Sequence, residues 1–185
     1  KTMCATYLAL NDVLQKGEYE KVVIIRSAVQ TREQGFMPGS QAQKEAVFEA
    51  PYTDIVNDLF GRKDAYQVLK TKGMIEFKTS SFVRGLTFDN AVIIVDECQS
   101  MTYHELDSII TRVGESSKII FCGDTKQDDL ATTKNRADVS GLYDFLKVLN
   151  AISSFDIIKF GVEDIVRSGL VKEYIIAKEK LLEAA

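Results

Sequence analysis

Two apolar runs stand out from the mixed background of this chain. Ala91-Val92-Ile93-Ile94-Val95 ends in Asp96-Glu97-Cys98-Gln99, and Ile119-Ile120-Phe121-Cys122 ends in Gly123-Asp124-Thr125-Lys126-Gln127. Neither run alternates apolar with polar, so each predicts a strand buried on both faces, as in a parallel sheet, with polar side chains delivered to one edge. Around them, apolar positions at helical spacing predict helices from about Thr2 to Lys16, Gln41 to Ala50, Thr53 to Thr71, Thr102 to Val113, Gly141 to Ala151 and about Ser168 to Leu182. Further strands are expected at Lys21 to Arg26, Met74 to Thr79, Lys118 to Cys122 and Phe155 to Phe160. Strands alternating with helices, without internal repeats, predict an α/β fold: a mainly parallel sheet between two helical layers. Thr102 with Glu105 three residues on forms a capping-box signature, and Gly17 is placed to close the first helix. Residues 128–140 are polar and lack an apolar period, which predicts a mobile loop beside Gln127.

In open α/β sheets the C-terminal edge is where ligands bind, so the residues just past the two runs are the candidate chemistry. Asp96 is suited to Mg²⁺, a hard cation that takes oxygen ligands and is commonly shared with substrate phosphates. Its neighbour Glu97 can accept the proton of an attacking water. Gln127 carries a neutral amide able to donate to a γ-phosphate oxygen while accepting from that water. Gly123-Asp124 alone reads as a tight turn. The two motifs in tandem at βα spacing describe a hydrolysis site.

Lys1-Thr2 stands directly before the predicted first helix. In the phosphate-binding loop G-x-x-x-x-G-K-[S/T], the lysine reaches the β/γ-phosphates and the following hydroxyl ligates Mg²⁺ at the mouth of a helix whose dipole favours anions. With the carboxylate pair and Gly-Asp-x-x-Gln following in order, Lys1-Thr2 reads as the end of such a loop. The glycine-rich turn and the strand before it are then expected upstream of Lys1. A polypeptide starting at Lys1 would lack the backbone N–H cradle for the phosphates and is expected to bind ATP poorly.

Across nearly its whole length the chain resembles the PhoH-like family, ATPases related to the first motor domain of superfamily 1 helicases. The resemblance rests on Lys1-Thr2, Ile24-Ile25-Arg26-Ser27-Ala28-Val29, Gly35-Phe36-Met37-Pro38-Gly39, Pro51-Tyr52, Phe82-Val83-Arg84-Gly85, Val95-Asp96-Glu97-Cys98-Gln99, Gly123 to Leu130, and Asp164-Ile165-Val166-Arg167. The family usually has alanine at Cys98 and proline at Ser27, and neither difference removes a catalytic group. The resemblance implies one RecA-like P-loop NTPase domain over residues 1–185, with ATP and Mg²⁺ as cofactors. In that domain Lys1, Thr2, Asp96, Gly123, Asp124 and Gln127 surround the nucleotide, Thr2 and Asp96 hold the metal, and Glu97 and Gln127 serve the chemistry. Arg167 matches a family arginine, and with no second motor domain in the chain it is expected to reach the nucleotide of an adjacent subunit in a ring-like homo-oligomer. A local salt bridge at a helix start is the competing role for Arg167. Arg26 and Arg84 also match family positions, and contacts to phosphate, nucleic acid, a partner or a backbone carbonyl all stay open for them. An RNA or DNA helicase-like motor using the same site, and a non-catalytic nucleotide-dependent interaction module, are the alternatives.

Composition narrows the picture a little further. A net charge of −4 does not favour non-specific nucleic-acid binding, although Arg62, Lys63, Lys70, Lys72, Lys78 and Arg84 gather mid-chain, on segments where a solvated face explains them better than RNA or another single-stranded nucleic acid. Three widely spaced cysteines, Cys4, Cys98 and Cys122, with a single histidine, His104, argue against a zinc site or disulfide framework. The cysteines read as small core residues in a reducing compartment, and His104 as an exposed helical side chain. No apolar run reaches membrane-spanning length and no charged-then-apolar leader opens the chain, which suits a cytoplasmic enzyme without a membrane partner.

Overall fold

The run Val22-Val23-Ile24-Ile25 and the run Ala91 to Val95 have no polar face to offer water, and both lie at the centre of the sheet. A computed structural model describes residues 1–27, 41–124, 141–166 and 168–183. Its four strands are β1 (Lys21–Arg26), β2 (Ile75–Thr79), β3 (Ala91–Asp96) and β4 (Lys118–Phe121), in the order β2-β1-β3-β4 with every pairing parallel. The register sets Arg26 beside both Thr79 and Asp96, and Val95 beside Phe121, so the polar strand ends line one edge. Every residue of β3 is buried, and the four apolar positions of β1 are fully enclosed. Each such valine or isoleucine contributes about 1.5–3 kcal/mol by leaving water.

Alternation along the strands separates the two helical layers. Val22, Ile24, Ile75, Val92 and Ile94 face a core shared with α1 (Thr2–Leu14), α2 (Gln41–Phe60) and α3 (Ala65–Thr71). Phe121 points to the other face, where its ring meets Phe145 of α5 (Leu142–Leu149) at 5.1 Å between centroids. Phe145 in turn meets Tyr103 at the start of α4 (Tyr103–Ile110). The result is the three-layer α/β arrangement of a RecA-like core.

The site depends on where α1 is pinned. Ala5, Ala9, Leu10 and Val13 form its buried stripe, and the buried Asp12 accepts hydrogen bonds from Lys16 Nζ at 2.7 Å and from Lys118 Nζ at 2.9 Å. Asp12 thereby ties the helix to the first residue of β4. Gly17 takes φ +65°, a left-handed turn that leads the chain from α1 towards β1. The capping box forms as expected: Thr102 Oγ1 accepts from the Glu105 amide at 3.3 Å, and Glu105 Oε2 accepts from the Thr102 amide at 2.9 Å.

Two expected elements differ. The break anticipated at Pro51 is absent, since α2 runs through it to Phe60. A proline removes one intrahelical hydrogen bond without changing the helical φ, and the buried Tyr52 and Val56 anchor the turn that follows it. The chain breaks instead at Gly61, with φ +62°. The strand expected at Phe155 to Phe160 does not form; these residues are irregular, and Ile158 is 82 % exposed. An apolar stretch becomes a strand only within a hydrogen-bonded ladder, and no strand is formed over this one. It lies in the second of two compact units, Lys1–Val148 and Leu149–Ala185, together with a helix, α6 (Gly169–Glu183). Among the described residues, no helix is long and apolar enough to cross a membrane.

Candidate functional site

The apolar drive that buries β3 carries Asp96 to its end, where the residue is only 5 % exposed. A buried carboxylate requires partners, and it has one on each oxygen. Thr2, the first residue of α1, donates its hydroxyl to Asp96 Oδ1 at 2.7 Å, and Tyr52 of α2 donates its phenol to Oδ2 at 2.8 Å. Burial, reinforced by the charge of Asp96, pushes the Tyr52 hydroxyl far above the ordinary tyrosine range, so it remains a donor.

Directly after the strand, Glu97 adopts φ 52° and ψ 41°, a left-handed conformation that costs a non-glycine residue energy and is concentrated at functional sites. The turn swings the chain into a short 3₁₀ segment, Cys98–Ser100. Gln99, buried within it, donates from Nε2 to Glu97 Oε2 at 2.6 Å and accepts the Asp124 amide on Oε1 at 3.1 Å. The Cys98 amide bonds the Cys122 carbonyl at 3.0 Å, extending the contact between β3 and β4 beyond the strand ends.

Lys1 completes the cluster from the other side. Its Nζ donates to the Gly123 carbonyl at 2.8 Å and lies 3.6 Å from the Asp124 carboxylate. Gly123 is required by crowding: a Cβ there would stand 2.4 Å from Cys98 Sγ and 3.3 Å from Gln99 Oε1. Burial raises both neighbouring thiols, Cys98 to about 12 and Cys122 to about 11, which makes them small apolar fillers and not nucleophiles.

Lys1, Thr2, Asp96, Glu97, Gly123 and Asp124 therefore meet at one edge of the sheet. Gln127 and Arg167 lie outside the described residues, as does the segment 128–140. Arg26 ends β1 beside Asp96 with its guanidinium 6.0 Å from the Phe48 ring centre. Arg84 lines a separate cleft of about 340 Å³ with Ser80, Ser81, Glu105 and Ser108. Among the mid-chain cations, Arg62, Lys70 and Lys78 pair with Asp64, Glu49 and Glu76. His104 is exposed on α4, as expected. Cys4 is a correction: it faces outward from α1, one position before the buried stripe begins, while Cys98 and Cys122 are buried.

Tyr52 and Gln99 are the contributors that residue patterns did not single out. Both stand within matched stretches, Pro51-Tyr52 and Val95 to Gln99, but nothing local to a sequence announces a partner 44 residues away or a side chain folding back two positions. As a metal site, the donor set of one hydroxyl and one carboxylate is all hard oxygen. Among the described residues no group of three or more His, Cys, Asp or Glu could hold an ion. That combination suits Mg²⁺ shared with substrate phosphates and does not suit an all-protein cage.

A family model described as PhoH-like protein matches residues 1–179. A PhoH-like protein of Bacillus subtilis is 34% identical over 179 residues, covering 95% of this chain and 54% of that protein. Protein PhoH of Escherichia coli K12 is 32% identical over 179 residues, covering 96% and 49%, and a PhoH-like protein of Synechocystis is 33% identical over 181 residues, covering 97% and 53%. The chain thus spans about half the length of the curated relatives it matches.

Proposed function

Since the chain belongs to the PhoH-like family, we propose that it forms the nucleotide-hydrolysing core of an ATPase, with Mg²⁺ as cofactor. The observation that carries this reading is the 2.7 Å bond from Thr2 to Asp96, made at the start of a helix and the end of a buried strand, with Lys1 alongside. When bound, Mg²⁺ would supply positive charge that offsets the charge developing on the phosphates. Thr2 and Asp96 are the residues that would hold it. Lys1 would exchange the Gly123 carbonyl for β- and γ-phosphate oxygens. Glu97 takes the proton of a water whose oxygen attacks the γ-phosphorus, and the bond from that phosphorus to the β–γ bridging oxygen breaks to release ADP and inorganic phosphate. Gln127 would orient the same water, and Arg167 of an adjacent subunit would face the γ-phosphate in a homo-oligomer. The nucleotide-binding fold is proposed to include a strand and a glycine-rich loop supplied by sequence preceding Lys1. The buried, unpaired thiols Cys98 and Cys122 suit work in the reducing cytoplasm.

The test is turnover of the complete protein against Glu97→Gln. The variant is expected to bind ATP normally and to hydrolyse it at least ~100-fold more slowly, the scale of a lost general base. Full hydrolysis by Glu97→Gln would exclude Glu97 as the base.

A motor driven along single-stranded nucleic acid is the second reading. It draws support from the cleft beside Arg84, where the guanidinium with Ser81 and Ser108 suits a sugar–phosphate backbone even though the Glu105 carboxylate shares the lining and holds the Ser80 hydroxyl. Stimulation of turnover by single-stranded RNA, lost in Arg84→Ala, would favour the motor; turnover indifferent to RNA would leave the simple ATPase.

A further inference from the structure

Glu97 has a long side chain on a backbone that leaves its strand in a left-handed turn, so nothing in its own conformation aims the carboxylate. The Gln99 amide does. Its nitrogen meets a carboxylate, which can only accept, and its oxygen meets the Asp124 N–H, which can only donate, so the two partners fix the amide in one orientation. Gln99 is 4 % exposed, and water does not compete freely for either bond. Among the described residues Glu97 Oε1 carries no hydrogen bond, which leaves one oxygen available to a water while the other is held.

We propose that Gln99 is a positioning residue for hydrolysis: it clamps Glu97 in the attitude of a general base and fastens that base to the segment leaving β4 at Asp124. The proposal rests on the reading of Glu97 as the base. It assigns Gln99 no contact with nucleotide. The clamp joins the exits of two strands, the one that ends in the carboxylate pair and the one whose exit holds Lys1 through the Gly123 carbonyl. A base displaced by an ångström loses on the order of 100-fold in rate even when binding is intact.

The test uses the complete protein and measures nucleotide affinity, single-turnover hydrolysis and thermal unfolding separately. Gln99→Met keeps the volume and removes both polar ends; its hydrolysis step is expected to fall on the order of 100-fold with ATP affinity nearly unchanged. Gln99→Glu keeps the acceptor for Asp124 but sets a carboxylate against Glu97, and is expected to lose at least as much. The decisive comparison is additivity: in a Glu97→Gln background, Gln99→Met should slow hydrolysis no further, because its effect passes through Glu97. Wild-type hydrolysis in Gln99→Met with only a lowered unfolding temperature would overturn the proposal, as would full additivity in the double variant. Should Gln99→Met fail to fold, the swap Glu97→Gln with Gln99→Glu re-forms the amide–carboxylate pair; recovery of the unfolding temperature lost in Gln99→Glu supports the clamp, and no recovery overturns it. Unimpaired hydrolysis by Glu97→Gln alone would instead refute the base assignment, an outcome distinct from either.

Discussion

The Tyr52 phenol and the Thr2 hydroxyl divide the two oxygens of Asp96 between them, at 2.8 and 2.7 Å, so the carboxylate is held from α2 on one side and α1 on the other. Tyr52 is 1 % exposed, and its ring is tilted against Phe77 with centroids 5.6 Å apart. It is a rigid support whose side-chain oxygen is committed to the proposed metal ligand. Outer partners of this kind fix ligand orientation and are worth about 10- to 100-fold in metal affinity or activity.

Tyr52→Phe removes that one oxygen and leaves the packing in place. It is expected to lower stability by about 1–3 kcal/mol, the cost of leaving a buried acceptor unpaired. In the complete protein it should raise the Mg²⁺ concentration needed for half-maximal turnover by about tenfold. Titration of turnover against Mg²⁺ at saturating ATP reads the effect, and an unchanged Mg²⁺ requirement would reduce Tyr52 to a packing residue.

Much of this site is legible in the order of residues alone. The uninterrupted apolar runs predict buried parallel strands, and the strand ends predict the edge where Asp96, Glu97, Gly123 and Asp124 gather. The Thr102–Glu105 box places the start of α4 because capping is a local interaction between residues three apart. Long-range support is not legible in the same way. Tyr52 reaches Asp96 through tertiary packing of α2, and the same packing overrides the helix break that Pro51 suggests. The segment Phe155 to Phe160 has the composition of a strand, but pairing is a property of a neighbour and not of the segment itself.

Gly123 gives a sharper test of how tightly the two strand exits are packed. Gly123→Ala places a methyl against Cys98 Sγ and the Gln99 amide, and overpacking of this kind costs about 1–3 kcal/mol. Adding Cys98→Ala removes the nearest obstructing atom, so the double variant should be more stable than Gly123→Ala alone. Chemical denaturation of the four combinations checks this; simple additivity would show that the crowding lies elsewhere.

Thr2 and Asp96 are coupled, and a double-mutant cycle measures the coupling. Thr2→Val removes the donor, and Asp96→Asn removes the charge from the acceptor, of a charge-assisted bond of the kind worth about 1.5–3 kcal/mol. The two losses should be less than additive in both stability and Mg²⁺-dependent ATP binding, since both changes act on the same contact. Additive losses would mean that the residues serve the site independently.

Asp12 predicts how the fold responds to acid. Hydrogen bonds from Lys16 and Lys118, with their positive charges, hold its carboxyl below the ordinary carboxylate range in the folded chain. A group whose pKa is lowered by folding adds stability wherever it is ionised, so the contribution is complete above its unfolded pKa and disappears as pH falls through the folded one. The bond from Lys118 joins α1 to β4, the two elements that carry Thr2 and Lys1 on one side and the Gly123 turn on the other, while that from Lys16 closes the end of α1. Asp12→Asn should therefore be less stable than the parent at neutral pH, and the difference should shrink steadily on acidification below about pH 4. Thermal unfolding of both proteins between neutral pH and about pH 3 measures it, and a difference that stayed constant across that range would show that the ionised Asp12, with its pairs to Lys16 and Lys118, does not stabilise the fold.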